Sequence, residues 1–357
     1  MNKEFLHALL AEHTPSGYEK NAHDVIINHL KTENVPYKFE FADKANNICV
    51  SLEPKAYFGG PKIMISGHID EIGLQVQYID DKGFIHFIKD GGVDPKVLLG
   101  STVTIMGAHG EVTGVIGKQP IHIEFNSDAK NKATEIKDMK IDVGAETKDD
   151  VIGMGISVGD YIIINDIPRD LGANRFCGRG LDDKVGAFVA FEVLKELAKV
   201  GLKRVKVYAV GCTQEEVGGT GAITAARRIN PNISIDYDVT FATDDDYVSP
   251  NEWGDIKLGK GGAIAFGTDS NKELSNFMRD VCKEIGIPYQ EFSVRSGATN
   301  TVHIKKTSND AATLLLSIPN RNMHTQTEVC DYRDLQSLID MTVAAILKID
   351  RGHEQFD

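Results

Sequence analysis

The second half of the chain alternates short apolar runs of β type with amphipathic helical patterns. A helix with a wide apolar face follows Cys177 and is stopped by Gly201. After it, strands are predicted at 205–212, 236–243 and 313–318, and helices at about 220–229, 272–285 and 332–349. Strands that alternate with helices favour a mostly parallel sheet covered by helices on both faces, so the predicted fold class is α/β.

The first half of the chain has a different pattern of apolar residues. A helical pattern covers about residues 3–33, with an interruption at 14–17, and an apolar strand follows at 63–66. From about residue 73 to 173, short β-branched runs alternate with Gly, Asp and Asn turns, which is typical of a small all-β module. We therefore expect an α/β domain made of residues 1–72 and 174–357, with a β-rich domain at 73–173 inserted into it.

Composition excludes several classes of protein. The formal charge of −13 argues against nucleic acid as a partner, because nucleic-acid binding needs a basic face. The apolar stretches are far shorter than the roughly 18 residues of a membrane span, and the N-terminus does not resemble a signal peptide. The five cysteines are scattered and never form a CxxC pair, which argues against a cysteine zinc site. We expect a reduced, cytoplasmic protein.

Charged and imidazole side chains gather where predicted strands end or a helix begins. They form three groups: Glu215-Glu216, His68-Ile69-Asp70-Glu71 and Asp182-Asp183. In open α/β sheets, ligands bind beyond the carboxyl ends of the strands. Adjacent buried carboxylates repel each other and are costly to desolvate unless a cation or a proton relay uses them. The placement therefore indicates a metal site that supports hydrolysis.

Candidate ligands for two ions stand at each expected position: His68, Asp182, Glu216, Asp244 and His324. Zinc and neighbouring transition metals bind imidazole and carboxylate groups readily. Asp70 stands two residues after His68, where a carboxylate can hold the second ring nitrogen and fix its tautomer. Each motif alone also has a structural interpretation: Asp182-Asp183 suits a helix N-cap, and Asp244-Asp245-Asp246 suits a solvated acidic loop. Spacing does not decide which of those three aspartates would bind a metal.

The chain resembles a known family from about residue 9 to residue 347. The family is that of the cytosolic metallo-aminopeptidases called glutamyl or tetrahedral aminopeptidases, some of which are described as deblocking aminopeptidases. The matching segments, in order, are 14–19, 67–73, 91–95, 114–117, 141–145, 181–186, 214–218, 238–240, 258–261, 317–319 and 323–324. So many motifs in the family's order make the resemblance specific.

The resemblance implies a role for each candidate residue. Asp182 would bridge two divalent ions, zinc or cobalt with manganese as a further candidate, while His68 and Asp244 would complete one ion and Glu216 and His324 the other. Glu215 would be the general base toward a water bridging the metals, and Asp70 would orient His68. The implied activity is removal of the N-terminal residue from short peptides. The inserted domain would serve dimerisation, and dimers would assemble into tetrahedral dodecamers.

The chain departs from the family pattern at three places: Gly297-Ala298-Thr299-Asn300, Thr325-Gln326 and Gly219-Thr220. None of them removes an expected ligand, and they leave open the substrate preference. Lys260 and Arg295 are positive groups that could receive an acidic side chain, although a solvated surface role is the simpler interpretation. The alternatives are a dinuclear carboxypeptidase or N-acyl amino-acid deacylase and, from another class, a catalytically silent oligomeric binding protein.

Overall fold

The computed structural model describes residues 1–120, 122, 134–293, 299–353 and 356. Its helices are α1 (Lys3–Ala11), α2 (Asn21–Thr32), α3 (Lys148–Gly153), α4 (Leu181–Val200), α5 (Thr220–Ile229), α6 (Pro250–Trp253), α7 (Lys272–Ile285), α8 (Asn300–Thr307) and α9 (Tyr332–Asp350). Within these described parts of the chain, no helix combines the length and the apolar character needed to cross a bilayer.

The strands form one eight-stranded sheet, one closed barrel and one three-stranded sheet. They are β1 (Lys38–Ala42), β2 (Ile48–Leu52), β3 (Lys62–His68), β4 (Gly73–Ile79), β5 (Ile85–Asp90), β6 (Thr102–Gly107), β7 (Gly110–Ile116), β8 (Ile141–Asp142), β9 (Tyr161–Ile164), β10 (Arg169–Leu171), β11 (Arg175–Gly178), β12 (Lys206–Cys212), β13 (Ile233–Phe241), β14 (Gly262–Phe266), β15 (Tyr289–Ser293), β16 (Ala312–Asn320) and β17 (Glu328–Asp331).

The main sheet has eight strands in the order β1-β2-β12-β3-β13-β16-β14-β15. Its four central strands, β12, β3, β13 and β16, all run parallel to one another. Towards the edges, β1, β2 and β14 pair antiparallel to their inner neighbours. The sheet is therefore mixed, and the predicted parallel arrangement holds for its centre, where the carboxyl ends of the strands meet.

Successive side chains of a central strand pack into hydrophobic cores on opposite faces of the sheet, because side chains alternate along a strand. In β12, Val207 and Ala209 pack in a large core with α1, α2, α4 and α9, whereas Tyr208 and Val210 pack with α5 on the opposite face. Both faces are thus covered, which explains why every residue of β12 is buried.

A closed barrel forms the second unit, with strands in the order β4-β5-β8-β7-β6-β9. It has its own core of aliphatic residues, including Leu74, Val103, Ile141 and Ile162. These strands all lie within the interval 73–173 predicted for the inserted domain. A separate three-stranded sheet, β10-β11-β17, brings the segment before α4 next to the segment that follows β16.

Candidate metal centre

The predicted site residues lie at the carboxyl edge of the central strands. His68 is the last residue of β3, and Glu215 and Glu216 lie three and four residues after the end of β12. His324 lies in the turn that joins β16 to β17, with a backbone φ of +63°. Because these strands are parallel neighbours, the polar residues at their ends converge on one place.

Asp182 reaches the same place from the start of α4. A Cβ added to Gly67 would lie 2.2 Å from the backbone nitrogen of Ala187, so α4 packs directly on the strand that carries His68. Asp182 and Asp183 have non-helical backbone angles, and the regular helix starts after them. The two carboxylates therefore point away from the helix axis and lie beside the strand ends.

Asp182 lies between the two histidines. Its Oδ1 is 3.1 Å from Nε2 of His68, and its Oδ2 is 3.2 Å from Nε2 of His324. Both oxygens of one carboxylate thus face separate imidazole nitrogens. Imidazole nitrogens and carboxylate oxygens are both ligands that zinc and similar ions accept.

The two adjacent glutamates take different sides of this cluster. Oε2 of Glu215 lies 4.0 Å from Nε2 of His68, and Oε1 of Glu216 lies 3.5 Å from Nε2 of His324. The residues share an anchor, because the backbone N–H groups of Glu215 and Glu216 donate to the carboxylate of Asp70 at 3.1 and 3.2 Å. That anchor fixes the loop after β12 relative to β3.

Asp70 also contacts His68. Its Oδ1 lies 3.4 Å from Nδ1 of the imidazole, and its own carbonyl oxygen lies 3.0 Å from the same nitrogen. The hydroxyl of Ser16 donates to Oδ2 of Asp70 at 2.7 Å. With Nδ1 engaged in this way, Nε2 of His68 is the nitrogen left to face Asp182.

Asp238 joins the cluster, although the sequence did not single it out as a ligand. His68, Asp183 and Asp238 each offer a ligand atom within 4.8 Å of the others, as do His68, Asp182 and Glu216. The Oδ2 atom of Asp238 is buried and has no hydrogen-bond partner among the described residues. An unpaired buried carboxylate oxygen is costly, so this atom favours a cation beside it.

Asp244, which the resemblance assigns to one ion, has other partners in the structure. Its Oδ1 accepts hydrogen bonds from the guanidinium of Arg321 at 2.8 and 2.9 Å, and its Oδ2 accepts one from the N–H of Leu258 at 3.3 Å. Among the residues that the structure describes, neither group able to hold a metal includes Asp244. Asp244 lies beyond the end of β13, where the chain has left the sheet, and Arg321 satisfies its charge.

A signal for Asp238 was present in the sequence. Asp236 and Asp238 alternate with Tyr237 and Val239 in a strand whose first seven residues are all buried. Carboxylates are almost never fully buried unless they are paired or bind a metal, so an aspartate inside a central strand marks a site. The ligands predicted from the sequence stand at or after strand ends or at a helix start, whereas Asp238 stands inside β13.

Electrostatics also favour a cation at the cluster. Burial, reinforced by the negative charges of Asp182 and Asp70, raises the pKa of Glu215 to about 7 against the opposing effect of His68. Burial and the nearby aspartates likewise raise the pKa of Glu216 and of Asp238 well above the ordinary values. Carboxylates so crowded ionise together only when positive charge is added between them.

The histidines supply part of that charge. Burial opposes ionisation of Asp182, but hydrogen bonds and charges from His324 and His68 outweigh it and hold the pKa of Asp182 below its ordinary value. The hydrogen bond to Asp182 raises the pKa of His324 to about 10. Imidazole and carboxylate groups in this proportion form the donor set that zinc, cobalt and manganese accept, so the residues fit divalent ions.

A second ring of contacts holds the His324 turn. The buried carboxylate of Glu328 accepts from the N–H of Asp182 at 3.0 Å and from the N–H of His324 at 2.8 Å. The amide of Gln326, one of the departures from the family pattern, donates to the carbonyl of Val97 at 3.0 Å and to the hydroxyl of Ser101 at 2.6 Å. The turn is therefore bonded to the segment between β5 and β6 of the barrel unit.

The other residues that the sequence singled out are not part of the metal centre as the structure describes it. Lys260 is exposed and does not line the cavity beside the cluster. Arg295, Gly297 and Ala298 lie outside the described residues. Gly219 has a φ of +72°, and a Cβ there would lie 2.4 Å from the ring of His303, so the glycine departure after the glutamate pair suits its local packing.

Comparison with known proteins relates this arrangement to one family. Residues 46–341 match the family described as M42 glutamyl aminopeptidase. A lysyl aminopeptidase from Pyrococcus furiosus is 32% identical over 335 residues, which cover 93% of this chain and 92% of that protein. An aminopeptidase from the archaeon Desulfurococcus kamchatkensis has a TM-score of 0.86 and 33% identity, covering 97% of this chain and 94% of that one.

A further solved structure is that of the Pyrococcus horikoshii TET1 peptidase, which can assemble into a tetrahedron or a large octahedral shell. It has a TM-score of 0.83 and 29% identity, covering 96% of this chain and 98% of that one. The family match spans most of the chain, and the structural likeness includes both the α/β unit and the barrel. The chain therefore belongs to the M42 glutamyl aminopeptidase family.

Proposed function

We propose that the chain is a metal-dependent aminopeptidase that removes the N-terminal residue of short peptides with the help of two divalent ions. The observation that carries this proposal is the position of Asp182, whose two oxygens face His68 and His324 at 3.1 and 3.2 Å. A carboxylate between two histidines, with further buried carboxylates on either side, suits a pair of ions better than a single one.

The ligand assignment follows from which groups lie together. Asp182 would be shared, and His68 and Asp238 would complete one ion. Glu216 and His324, whose Oε1 and Nε2 atoms lie 3.5 Å apart, would complete the other. Asp238 takes the role that the sequence gave to Asp244, because its buried Oδ2 is unpaired whereas Asp244 is neutralised by Arg321. Zinc, cobalt and manganese all suit this donor set.

Glu215 suits the role of general base. Two divalent cations, when bound, supply a water of lowered pKa and polarise the carbonyl that is attacked. The carboxylate of Glu215 would accept a proton from the attacking water and donate it to the departing amine. Burial raises the pKa of Glu215 to about 7 before any cation is added, and the bond from its N–H to Asp70 fixes its position.

We also propose that copies of the chain assemble into a homo-oligomer in the cytoplasm. The barrel unit exposes several aliphatic side chains: Ile88 (44%), Val115 (45%), Ile152 (50%) and Val158 (65%). Exposed apolar surface of this kind favours contact with another subunit. The relationship to the tetrahedral TET1 peptidase supports a large assembly, which light scattering of the purified protein would measure directly.

The activity is tested with a panel of short peptides offered with free and with acetylated N-termini. Metal-stripped protein is assayed alone and with added Zn²⁺, Co²⁺ or Mn²⁺. We expect metal-dependent release of the first residue from the free peptides only. Release of acetate would favour the deacylase alternative, and release of the C-terminal residue would favour the carboxypeptidase. Protein that binds two ions and cleaves nothing would identify a silent binding protein.

A further inference from the structure

A cavity of about 320 Å³ opens directly beside the candidate metal centre. One end is formed by the carboxylates of Asp182, Glu215, Glu216 and Asp238 together with His324. The cavity is large enough for one amino-acid side chain of any size, within the usual range of ligand sites, about 300–1,000 Å³. A peptide whose first amide bond lies at the cluster would place its first side chain in this space.

The described lining of the cavity also includes large apolar side chains. They are Phe241, Trp253, Phe292, Leu315 and Met323. Phe241 and Trp253 meet edge to face, with ring centroids 4.7 Å apart and an interplanar angle of 79°. Leu315 is 1% exposed and Phe292 is 8% exposed, so these walls belong to the packed interior of the α/β unit. Aromatic and thioether walls of this kind bind apolar groups through contact area.

The polar groups of this wall are neutral. Thr240, Ser293, Thr299 and Ser317 contribute hydroxyls, and Oγ of Ser317 is buried without a hydrogen-bond partner. Among the described residues that line the cavity, the charged or imidazole groups are those of the metal centre. A carboxylate or ammonium placed against the other described walls would lose its hydration and gain no opposite charge from them, which is strongly unfavourable.

We propose that this cavity selects peptides whose first residue carries a large uncharged side chain, either aromatic or long aliphatic, with Trp253 and Phe241 as specificity-determining residues. The proposal rests on the proposed function, since it assumes that the cluster cleaves the first peptide bond. The positively charged α-amine of the peptide would face the carboxylate end, and the apolar side chain would face the aromatic end. Both ends of the cavity thus match the two halves of such a residue.

The test is a series of tripeptides that differ only in the first residue: Phe, Leu, Met, Ala, Glu and Lys. We expect kcat/KM for Phe, Leu and Met to exceed that for Glu and Lys by at least about tenfold, because a charged side chain would lose its hydration against the apolar walls. Faster cleavage of the Glu or Lys peptide would overturn the proposal while leaving the aminopeptidase function intact. Absence of cleavage with all six would instead refute the proposed function.

Substitutions distinguish a role of the cavity wall in substrate choice from a general loss of activity. Trp253→Ala is expected to lower kcat/KM for the Phe peptide by about 10- to 100-fold and to change the Ala peptide far less, because only the large side chain reaches the wall. The matched control is Phe58→Ala: Phe58 is 95% exposed and precedes the start of β3, at the opposite end of that strand from His68. Equal losses for both peptides in Trp253→Ala would contradict the assignment.

A second variant adds charge to the half-buried part of the wall. Thr240→Lys places an ammonium in the cavity at a position that is only partly buried, so the fold should tolerate it. We expect the ratio of kcat/KM for Glu over Phe to rise by at least about tenfold, since the new charge partners the substrate carboxylate. An unchanged ratio in a folded, metal-loaded variant would mean that the first side chain does not enter this cavity.

Discussion

The carbonyl oxygen of Gly92 lies 3.1 Å from Nδ1 of His324, across the boundary between the barrel unit and the α/β unit. A Cβ on residue 92 would lie 2.4 Å from the same nitrogen, so the contact requires glycine. The same segment approaches Glu216, because a Cβ on Gly91 would lie 3.4 Å from that carboxylate. The segment after β5 therefore closes one side of the metal centre.

Replacing this glycine should disturb one half of the centre. Gly92→Ala is expected to push His324 away from Asp182, and misplacement of a catalytic group by about 1 Å can cost about 10²-fold in rate. We expect weaker binding of one ion and a loss of kcat/KM of roughly that size. Metal content by elemental analysis and peptide kinetics measure the two effects.

Gly117→Ala is the matched control for this substitution. Gly117 lies just after β7 of the barrel, and a Cβ there would meet no atom of the described residues within 4 Å. This variant should bind both ions and keep the wild-type rate. If Gly92→Ala also kept both properties, the contact with His324 would have no role in the centre.

A pair of aspartate variants tests the proposed ligand assignment. Asp238→Asn should lower the affinity for metal by at least about tenfold, the smaller end of the loss seen even for residues that only support a ligand. Asp244→Asn should leave metal affinity unchanged, because Asp244 is bonded to Arg321 and Leu258. Competition with a chelator measures both affinities. The opposite result would return the role to Asp244.

Glu215→Gln tests the general base. The amide keeps the shape of the side chain and its place beside His68 but cannot accept the proton, so kcat should fall by about 10²–10⁴-fold or more. Metal content and the folded state should remain as in the wild type. Glu216→Gln serves as the contrast, since loss of that carboxylate should lower metal content as well. A Glu215→Gln enzyme with full activity would remove Glu215 from the mechanism.

Local patterns predicted the helices of the second half well. The structure has α5 at Thr220–Ile229 and α7 at Lys272–Ile285, the ranges that apolar periodicity and the glycine and asparagine stops indicate. These elements pack one face on a sheet, so their pattern is set locally. The short strands β10, β11 and β17 were not predicted. The pairing of β11 with β17 joins residues about 150 positions apart, which no local pattern encodes, and β10 has only three residues, all of them exposed.

The site was predictable to the extent that its residues stand at strand ends. His68, Glu215 and Glu216 are such residues, and the parallel strands bring them together. Asp238 was missed because it stands inside a strand, and Asp244 was chosen because it follows one. The contacts of His324 with Gly92 and of Gln326 with Val97 depend on how the barrel and the α/β unit pack together. Local sequence patterns do not predict the packing of two units.

A buried ion cluster far from the metal centre gives the last prediction. Glu192 lies on the fourth helix with no exposed side-chain surface, and its carboxylate is 2.7 Å from Nζ of Lys195 and 3.0 Å from Nε2 of His29. The backbone N–H of Asn2 donates to it at 2.9 Å. Burial opposes its ionisation, but the interactions with His29 and Lys195 outweigh burial and lower the pKa of Glu192 from 4.5 to about 2.

The pH dependence follows from the direction of that shift. Because the folded pKa lies below the unfolded one, the stabilisation is complete above about pH 4.5 and is lost as the pH falls toward 2. Glu192→Gln should therefore lower the free energy of unfolding by roughly 3 kcal/mol at pH 7, and the difference should shrink between pH 5 and about pH 2. Urea unfolding followed by circular dichroism, at equal metal loading, measures it. Glu196→Gln, one turn along the helix, removes a partly exposed carboxylate that pairs with Lys199 at 2.8 Å and lies 3.6 Å from Lys195, and it should change stability by less than about 1 kcal/mol at every pH. A pH-independent difference for Glu192→Gln would show that its carboxylate is not ionised in the folded protein.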